Sequence, residues 1–262
     1  MPTDHPPIDL AHLREVARRA GDAILEVYAR DFEVEFKDDE SPLTEADQRS
    51  NEVIVAALEE RYPEIPIISE EVRALEYSER RDWESCWLVD PLDGTKEFVK
   101  KNGEFTVNIA LVHRGEPVAG VVYQPVTGAM YSAERGQGAF LEEGAGGEPV
   151  RLENTRHYRT EQEVVVVASR SHLSQEVEDF VGQLRAEGKQ VEFQSAGSSL
   201  KLCLVAEGKA TVYPRFAPTM EWDTAAAHAI VVEAGKQVLD RQTGEPLVYN
   251  KEDLLNPWFI VE

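Results

Sequence analysis

The hydrophobic period changes once, near residue 63, and that change restricts the fold more than any other feature of the 262-residue chain. Before it, Leu10, Leu13, Val16, Ala17, Ala20, Ile24, Leu25 and Tyr28 recur at three- and four-residue steps, with Arg14, Arg18 and Arg19 between them. That spacing predicts an amphipathic helix over 8–28. Residues 33–41 are charged, break the period and read as a loop or a strand hairpin. A second helix is expected over 44–62, stopped by Pro63, with Val53, Ile54, Ala57 and Leu58 as its core stripe. Beyond Pro63 the period moves toward two. Residues 65–69, 86–90, 105–113, 118–124 and 129–134 read as strands, separated by turn formers such as Arg114-Gly115-Glu116-Pro117 and Thr127-Gly128. Strands in succession after two helices suggest an antiparallel meander with helices on one face.

The second half alternates. Strands are expected over 164–168, 191–195, 210–214 and 258–261, and helices over 171–187, 198–207 and 222–234, which is the pattern of an α/β lobe. The Gly-rich stretch 144–149 and the polar stretch 154–163 mark a boundary. The chain therefore divides into an N-terminal lobe, 1–155, and a C-terminal α/β lobe, 156–262.

Several classes of protein are excluded. The longest apolar run is the six residues 53–58, far short of the roughly 18 that cross a bilayer. No apolar stretch follows a basic start at the N-terminus, so no secretory leader is expected. Cys86 and Cys203 sit in apolar runs without CxxC spacing, which fits reduced, buried thiols and a cytoplasmic protein. The formal net charge of −22 repels polynucleotide, whose binding depends on Lys and Arg displacing counterions, so no nucleic-acid partner is expected. The acidic excess has two readings, a solubilising surface or carboxylates that hold divalent metal. Composition does not choose between them.

Spacing is more informative. Asp90-Pro91-Leu92-Asp93-Gly94-Thr95-Lys96-Glu97-Phe98 follows the apolar run Cys86-Trp87-Leu88-Val89. Pro91 and Gly94 turn the chain so that Asp93 returns toward Asp90. Two carboxylates with the Leu92 carbonyl between them form the all-oxygen donor set that a hard cation such as Mg²⁺ takes. On these nine residues alone, a plain strand followed by an Asp-Gly turn remains open. Haloacid-dehalogenase-type phosphatases also end a strand in Asp-Gly-Thr, but their nucleophilic Asp lies two residues before the second Asp. Pro91 stands there in this chain, so a metal-activated water suits the site better than an aspartyl-phosphate.

Three other acidic spots accompany this segment. Glu70-Glu71 leaves the strand 65–69. Thr44-Glu45-Ala46-Asp47 begins the second helix, where Asp47 taken singly reads as a cap. Trp222-Asp223 heads an Ala-rich helix, where Asp223 taken singly complements the helix dipole. In order and local wording, the four spots resemble the motifs of the magnesium-dependent, lithium-sensitive phosphatase superfamily that includes inositol monophosphatase and fructose-1,6-bisphosphatase. Within it, SPLTEAD (41–47), ASRSH (168–172), AGSSLKLCLVAEGKATVYPR (196–215) and APTMEWDTAAAHAI (217–230) are similar to segments of bacterial 3′(2′),5′-bisphosphate nucleotidases of the CysQ type. Ala227 departs from that pattern, which has Gly there, and adds a methyl group to the helix.

The resemblance implies a layered α-β-α-β-α sandwich and a site holding two or three Mg²⁺ ions. Glu70, Asp90, the Leu92 carbonyl, Asp93 and Asp223 would be the metal ligands. It gives Asp47 and Thr95 the orientation of an attacking water, with Glu70 as ligand and proton acceptor. Glu70, Leu92, Asp93, the Gly94 and Thr95 amides and Asp223 would border the scissile phosphate. His172, Ser198, Lys201 and Arg215 would hold the other phosphate of a small bisphosphate nucleotide and nearby groups. Taken singly, each of those cations also reads as a surface charge. The implied reaction converts adenosine 3′,5′-bisphosphate to AMP and phosphate, with the sulfated analogue (PAPS) as a further substrate. The implied setting is sulfur-assimilation turnover in the cytoplasm, and the resemblance leaves room for peripheral inner-membrane association. Two rivals stay open: a broader inositol- or sugar-phosphate phosphatase on the same metals, and a non-catalytic nucleotide or metal sensor. Nothing in the sequence sets an oligomeric state.

Overall fold

The computed structural model describes residues 4–31, 34–36, 42–72, 75–144, 146–168 and 174–262. Helix α1 (Leu10–Tyr28) starts two residues later than its period suggests, because Asp9 caps it by accepting from the His12 amide at 3.0 Å. Strands β1 (Val34–Phe36) and β2 (Pro42–Thr44) pair antiparallel, so the described part of the charged stretch is a paired strand, while 37–41 lie outside the described residues. Helix α2 (Glu45–Arg61) follows, with Thr44 as its cap.

Next come β3 (Ile67–Ser69), α3 (Tyr77–Arg80), β4 (Ser85–Asp93), α4 (Thr95–Val99), β5 (Thr106–His113), β6 (Glu116–Gln124), β7 (Ala129–Glu134), β8 (Gly138–Glu142) and β9 (Val150–Leu152). The seven strands form one sheet in chain order, with β3 parallel to β4 and every later pair antiparallel. Its two faces follow the strand period. Val107, Ile109 and Leu111 of β5 join the core under α1 and α2, while Ala110 and Val112 face the opposite core.

The chain continues with β10 (Glu163–Ala168), α5 (Gln175–Ala186), β11 (Gln190–Ser195), α6 (Leu200–Ala206), β12 (Tyr213–Arg215), α7 (Glu221–Glu233), β13 (Val238–Asp240) and β14 (Phe259–Val261). β10 and β11 are parallel, and β14 lies between β12 and β13, antiparallel to both. A parallel bridge at Val166 and Val212, with the Val167 amide donating to Val212 O at 2.9 Å, joins these two pieces edge to edge. Val164 and Val166 pack beneath α5, and Val167 turns inward to the core around α6 and α7. The layers are thus α1 and α2, the seven-stranded sheet, α6 and α7, the second sheet, and α5, an α/β sandwich of the expected kind. Among the described residues, no helix is long and apolar enough to cross a membrane.

We propose the division near residue 155 as one between sheets. The first sheet ends at Leu152 and the next strand opens at Glu163. The cores do not divide there, because α7 packs across β4, β5, β6, β7 and β8. Small residues permit that close approach: Ala225, Ala226 and Ala227 are buried, and Gly120 of β6 faces them. A Cβ added at Gly120 would lie 2.1 Å from Ala226 O, which a helix backbone locked between two layers cannot accommodate without shifting. Gly120→Ala should therefore cost roughly 1–3 kcal/mol as overpacking. At about 2–4 °C per kcal/mol for a chain of this size, that appears as a several-degree fall in melting temperature by calorimetry. An unchanged melt would show that α7 is not held against β6.

Candidate active site

The alternation of β4 places Cys86 and Leu88 in the inner core, on the face toward α6 and α7, and Asp90 continues that face at 1% exposure. In a regular strand Asp93, three residues on, would fall on the opposite face. The register prevents this. Asp90 pairs with Asn108 and Asp93 with Thr106, so β4 advances three residues while β5 moves two, and the one-residue bulge returns Asp93 to the side of Asp90. The strand consequently runs to Asp93 and does not stop at Asp90 as the apolar run suggests. Ser50 Oγ of α2 donates to Pro91 O at 2.7 Å within the bulge, and Asp90 Oδ1 accepts from the Leu92 amide at 3.1 Å. Gly94 then takes φ +93°, and a side chain there would meet Ser198 Oγ at 2.3 Å.

Thr95 opens α4, and its hydroxyl lies between Asp47 Oδ1 at 3.2 Å and Leu92 O at 3.3 Å. Asp47 also caps α2, its Oδ2 accepting from the Thr44 amide and hydroxyl, each at 2.7 Å. One oxygen of Asp47 thus caps the helix while the other meets the Thr95 hydroxyl. Glu70 leaves β3 with its amide bonded to Val89 O at 3.1 Å, beside the Asp90 strand. Asp223 sits in the first turn of α7, accepting from the Met220 amide at 2.8 Å. Glu70, Asp90 and Asp223 each offer an oxygen within 4.8 Å of the others. Asp93 stands outside that trio: its Oδ2 accepts from the Ser199 amide at 2.6 Å and from Asn108 Nδ2 at 3.4 Å.

A cleft opens from these groups, lined by Asp93, Gly94, Glu97, Ser198, Lys201, Arg215 and Asp223. Lys201 Nζ donates to Ser198 O at 2.8 Å, and burial draws its pKa down while Asp93 opposes the fall. Arg215 Nη2 donates to Pro218 O at 2.9 Å, and its buried Nε has no acceptor among the described residues. Ser198 lies before α6 rather than in it, at φ +52°. Its hydroxyl faces the Asp93 and Glu104 carbonyls, each at 2.8 Å, and so joins the two halves of the chain. His172 lies outside the described residues. The sequence reading passes over Thr106, Asn108 and Ser199, whose hydroxyls and amide form one network: Asn108 Oδ1 accepts from Thr106 at 3.1 Å and from Ser199 at 2.8 Å. Their signal is two polar side chains on one face of an otherwise apolar strand.

The electrostatics suit a hard divalent cation. Burial, then the charges of Glu70, Asp93, Asp223 and Asp47, pushes the Asp90 carboxyl well above the carboxylate range. Burial and Asp93 push Asp223 up to about 8. Asp93 rises only to about 6, because Lys201 and the Ser199 amide favour its charged form against burial. The converging donors are all carboxylate oxygens, the set that Mg²⁺ takes. Carboxyl groups raised in the folded state stabilise it below their ordinary values, and that stability is lost as pH climbs through the raised values. The metal-free chain should therefore lose stability between about pH 4 and pH 8, and Mg²⁺ should restore it at pH 8. Asp90→Asn, with one charge fewer, should melt higher than wild type without metal at pH 8 and show no Mg²⁺-dependent rise. Melting curves at pH 5 and pH 8 with and without Mg²⁺ check this. A wild-type melt indifferent to both would refute it.

The geometry has parallels in known proteins. The family model described as "Inositol monophosphatase family" matches residues 9–258. The 3′(2′),5′-bisphosphate nucleotidase CysQ of Escherichia coli O157:H7 is 48% identical over 250 residues, covering 94% of this chain and 96% of that protein. The CysQ nucleotidase of Salmonella typhimurium is 48% identical over 255 residues, covering 96% and 98%. Among solved structures, CysQ from Bacteroides thetaiotaomicron superposes with a TM-score of 0.84 at 48% identity over 96% of each chain. The inositol monophosphatase of Thermotoga maritima superposes with a TM-score of 0.76 at 25% identity, over 97% of this chain and 91% of that one. Motifs, layered fold and near-complete coverage agree: the chain belongs to the inositol monophosphatase family.

Proposed function

We propose that the chain is a 3′(2′),5′-bisphosphate nucleotidase that hydrolyses the 3′-phosphate of adenosine 3′,5′-bisphosphate to AMP and phosphate, with PAPS as a second substrate. The observation that carries this is a cleft whose lining brings anionic and cationic side chains together. Asp93 and Asp223 line it with Lys201 and Arg215, and the Asp223 carboxylate has an oxygen within 4.8 Å of those of Glu70 and Asp90. Such a cleft fits a substrate with two anionic groups, one cleaved and one held. The curated relatives at 48% identity, enzymes named for this activity, support the same reading.

Glu70, Asp90, the Leu92 carbonyl, Asp93 and Asp223 would hold two or three Mg²⁺ ions. When bound, the cation supplies neutralisation of the phosphate charge and a more acidic water. The chain's own groups supply orientation. Asp47 fixes the Thr95 hydroxyl, and the two position a water in line with the P–O3′ bond. As the water oxygen joins phosphorus, its proton passes to Glu70, the P–O3′ bond breaks, and the ribose 3′-oxygen takes a proton from solvent to leave as a hydroxyl. The Gly94 and Thr95 amides, at the start of α4, face the phosphate oxygens. His172, Ser198, Lys201 and Arg215 hold the phosphate that stays, a forked guanidinium and an ammonium suiting a dianion. We place the protein in the cytoplasm on the strength of its two buried, free cysteines, with cell fractionation as the check on peripheral membrane association.

Side-by-side assays of adenosine 3′,5′-bisphosphate and inositol 1-phosphate test the substrate class. Lys201→Ala and Arg215→Ala should each raise KM for the bisphosphate by about 10-fold or more, the cost of one lost charged hydrogen bond, and leave KM for inositol 1-phosphate nearly unchanged. Equal effects on both substrates would remove these residues from nucleotide recognition. Asp90→Asn should abolish phosphate release, and residual full turnover would exclude the metal site as the reacting centre.

A further inference from the structure

Asp223 enters the carboxylate cluster from the first turn of α7, and what holds that turn lies behind it. Glu221, two residues earlier, is fully buried. Positions two apart on a helix do not share a face. Its carboxylate meets residues 250 and 251 of a strap that crosses the helix start. Oε2 accepts from the Asn250 amide at 2.6 Å, and Oε1 accepts from the Lys251 amide at 3.1 Å and the Lys251 ammonium at 2.5 Å. The strap bonds to the helix start at other points too. The Glu221 amide donates to Leu254 O at 2.9 Å, and Asn256 Nδ2 donates to Met220 O at 2.7 Å and to Thr224 Oγ1 at 3.0 Å. On its far side the buried Arg80 guanidinium donates to Asn250 Oδ1 at 2.8 Å, Lys251 O at 2.6 Å and Glu252 O at 2.8 Å. One turn of chain is therefore gripped between a buried carboxylate and a buried guanidinium. Burying two charges is costly where apolar side chains would pack as well, and the outlay is offset here by directional bonds that fix position.

We propose that Glu221 is a positioning residue for metal binding: through the strap, with Arg80 behind it, it sets the first turn of α7 and so the place of the Asp223 oxygens relative to Glu70 and Asp90. The inference rests on the reading of those three carboxylates as the metal site. Groups that orient metal-ligating side chains commonly change metal affinity by about 10–100-fold when altered. Glu221→Gln keeps the shape and one acceptor but removes the charge that draws in Lys251 and both amides.

The test titrates Mg²⁺ alone into the full-length wild-type and variant chains by calorimetry, alongside the Mg²⁺ dependence of bisphosphate hydrolysis. Glu221→Gln should weaken Mg²⁺ binding by about 10-fold or more and move the Mg²⁺ midpoint of hydrolysis by the same factor. Saturating Mg²⁺ should restore most of the wild-type kcat with KM for the nucleotide unchanged, and Glu221→Asp should lie between the two. A variant that melts cooperatively with an unmoved midpoint overturns the proposal. Should Glu221→Gln not fold, Lys251→Gln carries the test, because it leaves the strap amides in place and alters a side chain that is 25% exposed. Its expected shift is about threefold, and no shift overturns the proposal. Wild-type chain that takes up no Mg²⁺ overturns the metal-site reading itself, which separates that failure from one of Glu221.

Discussion

Carboxylates gathered in a buried place repel one another, and much of this molecule consists of what holds them there. Asp90, Asp93 and Asp223 each keep a backbone amide as donor, from Leu92, Ser199 and Met220 respectively. Those bonds keep the oxygens in place while burial and mutual repulsion favour a proton on each. Carboxylates held this way lower the stability of the folded protein where they ionise, and they would meet a divalent cation with their reorganisation already done during folding.

The placement depends on counting along strands and helices. Asp90 faces inward because Leu88 and Cys86 do, Asp93 joins it because the bulge adds one residue, and α7 comes close enough because its inward face is alanine against Gly120. Polar partners follow the same count. Thr106 and Asn108 share the face of Ala110, so the strand that completes the core also carries the hydrogen-bond network under Asp93.

Long elements and linear motifs were legible before the fold was known; pairings across the chain were not. The periods of α1, α2, β5, β6 and β7 locate those elements to within about two residues. α3, β8, β9 and β13, of three to five residues, carry too few side chains for a period to stand out, and the three strands take their identity from neighbours in the sheets. Asp47, Glu70, Asp90, Thr95 and Asp223 announce themselves through short motifs, and the structure brings their segments together. Glu221 and Arg80 carry no such sign. Their roles exist only once residues 250–252 lie between them, and that proximity joins positions 170 apart in sequence. Ser198 shows the converse: its place in the cleft was legible, but the use of its hydroxyl as a clasp between carbonyls of the other half was not.

The α6 and α7 layer is common to both sheets, and this has a consequence for biogenesis. The first sheet is complete at Leu152, yet its inner face stays uncovered until Glu221–Glu233 has been made. At the usual pace of about 5–20 residues per second, a ribosome leaves that apolar surface bare for several seconds. An apolar face left bare for that interval is the kind of surface on which half-made chains associate with one another.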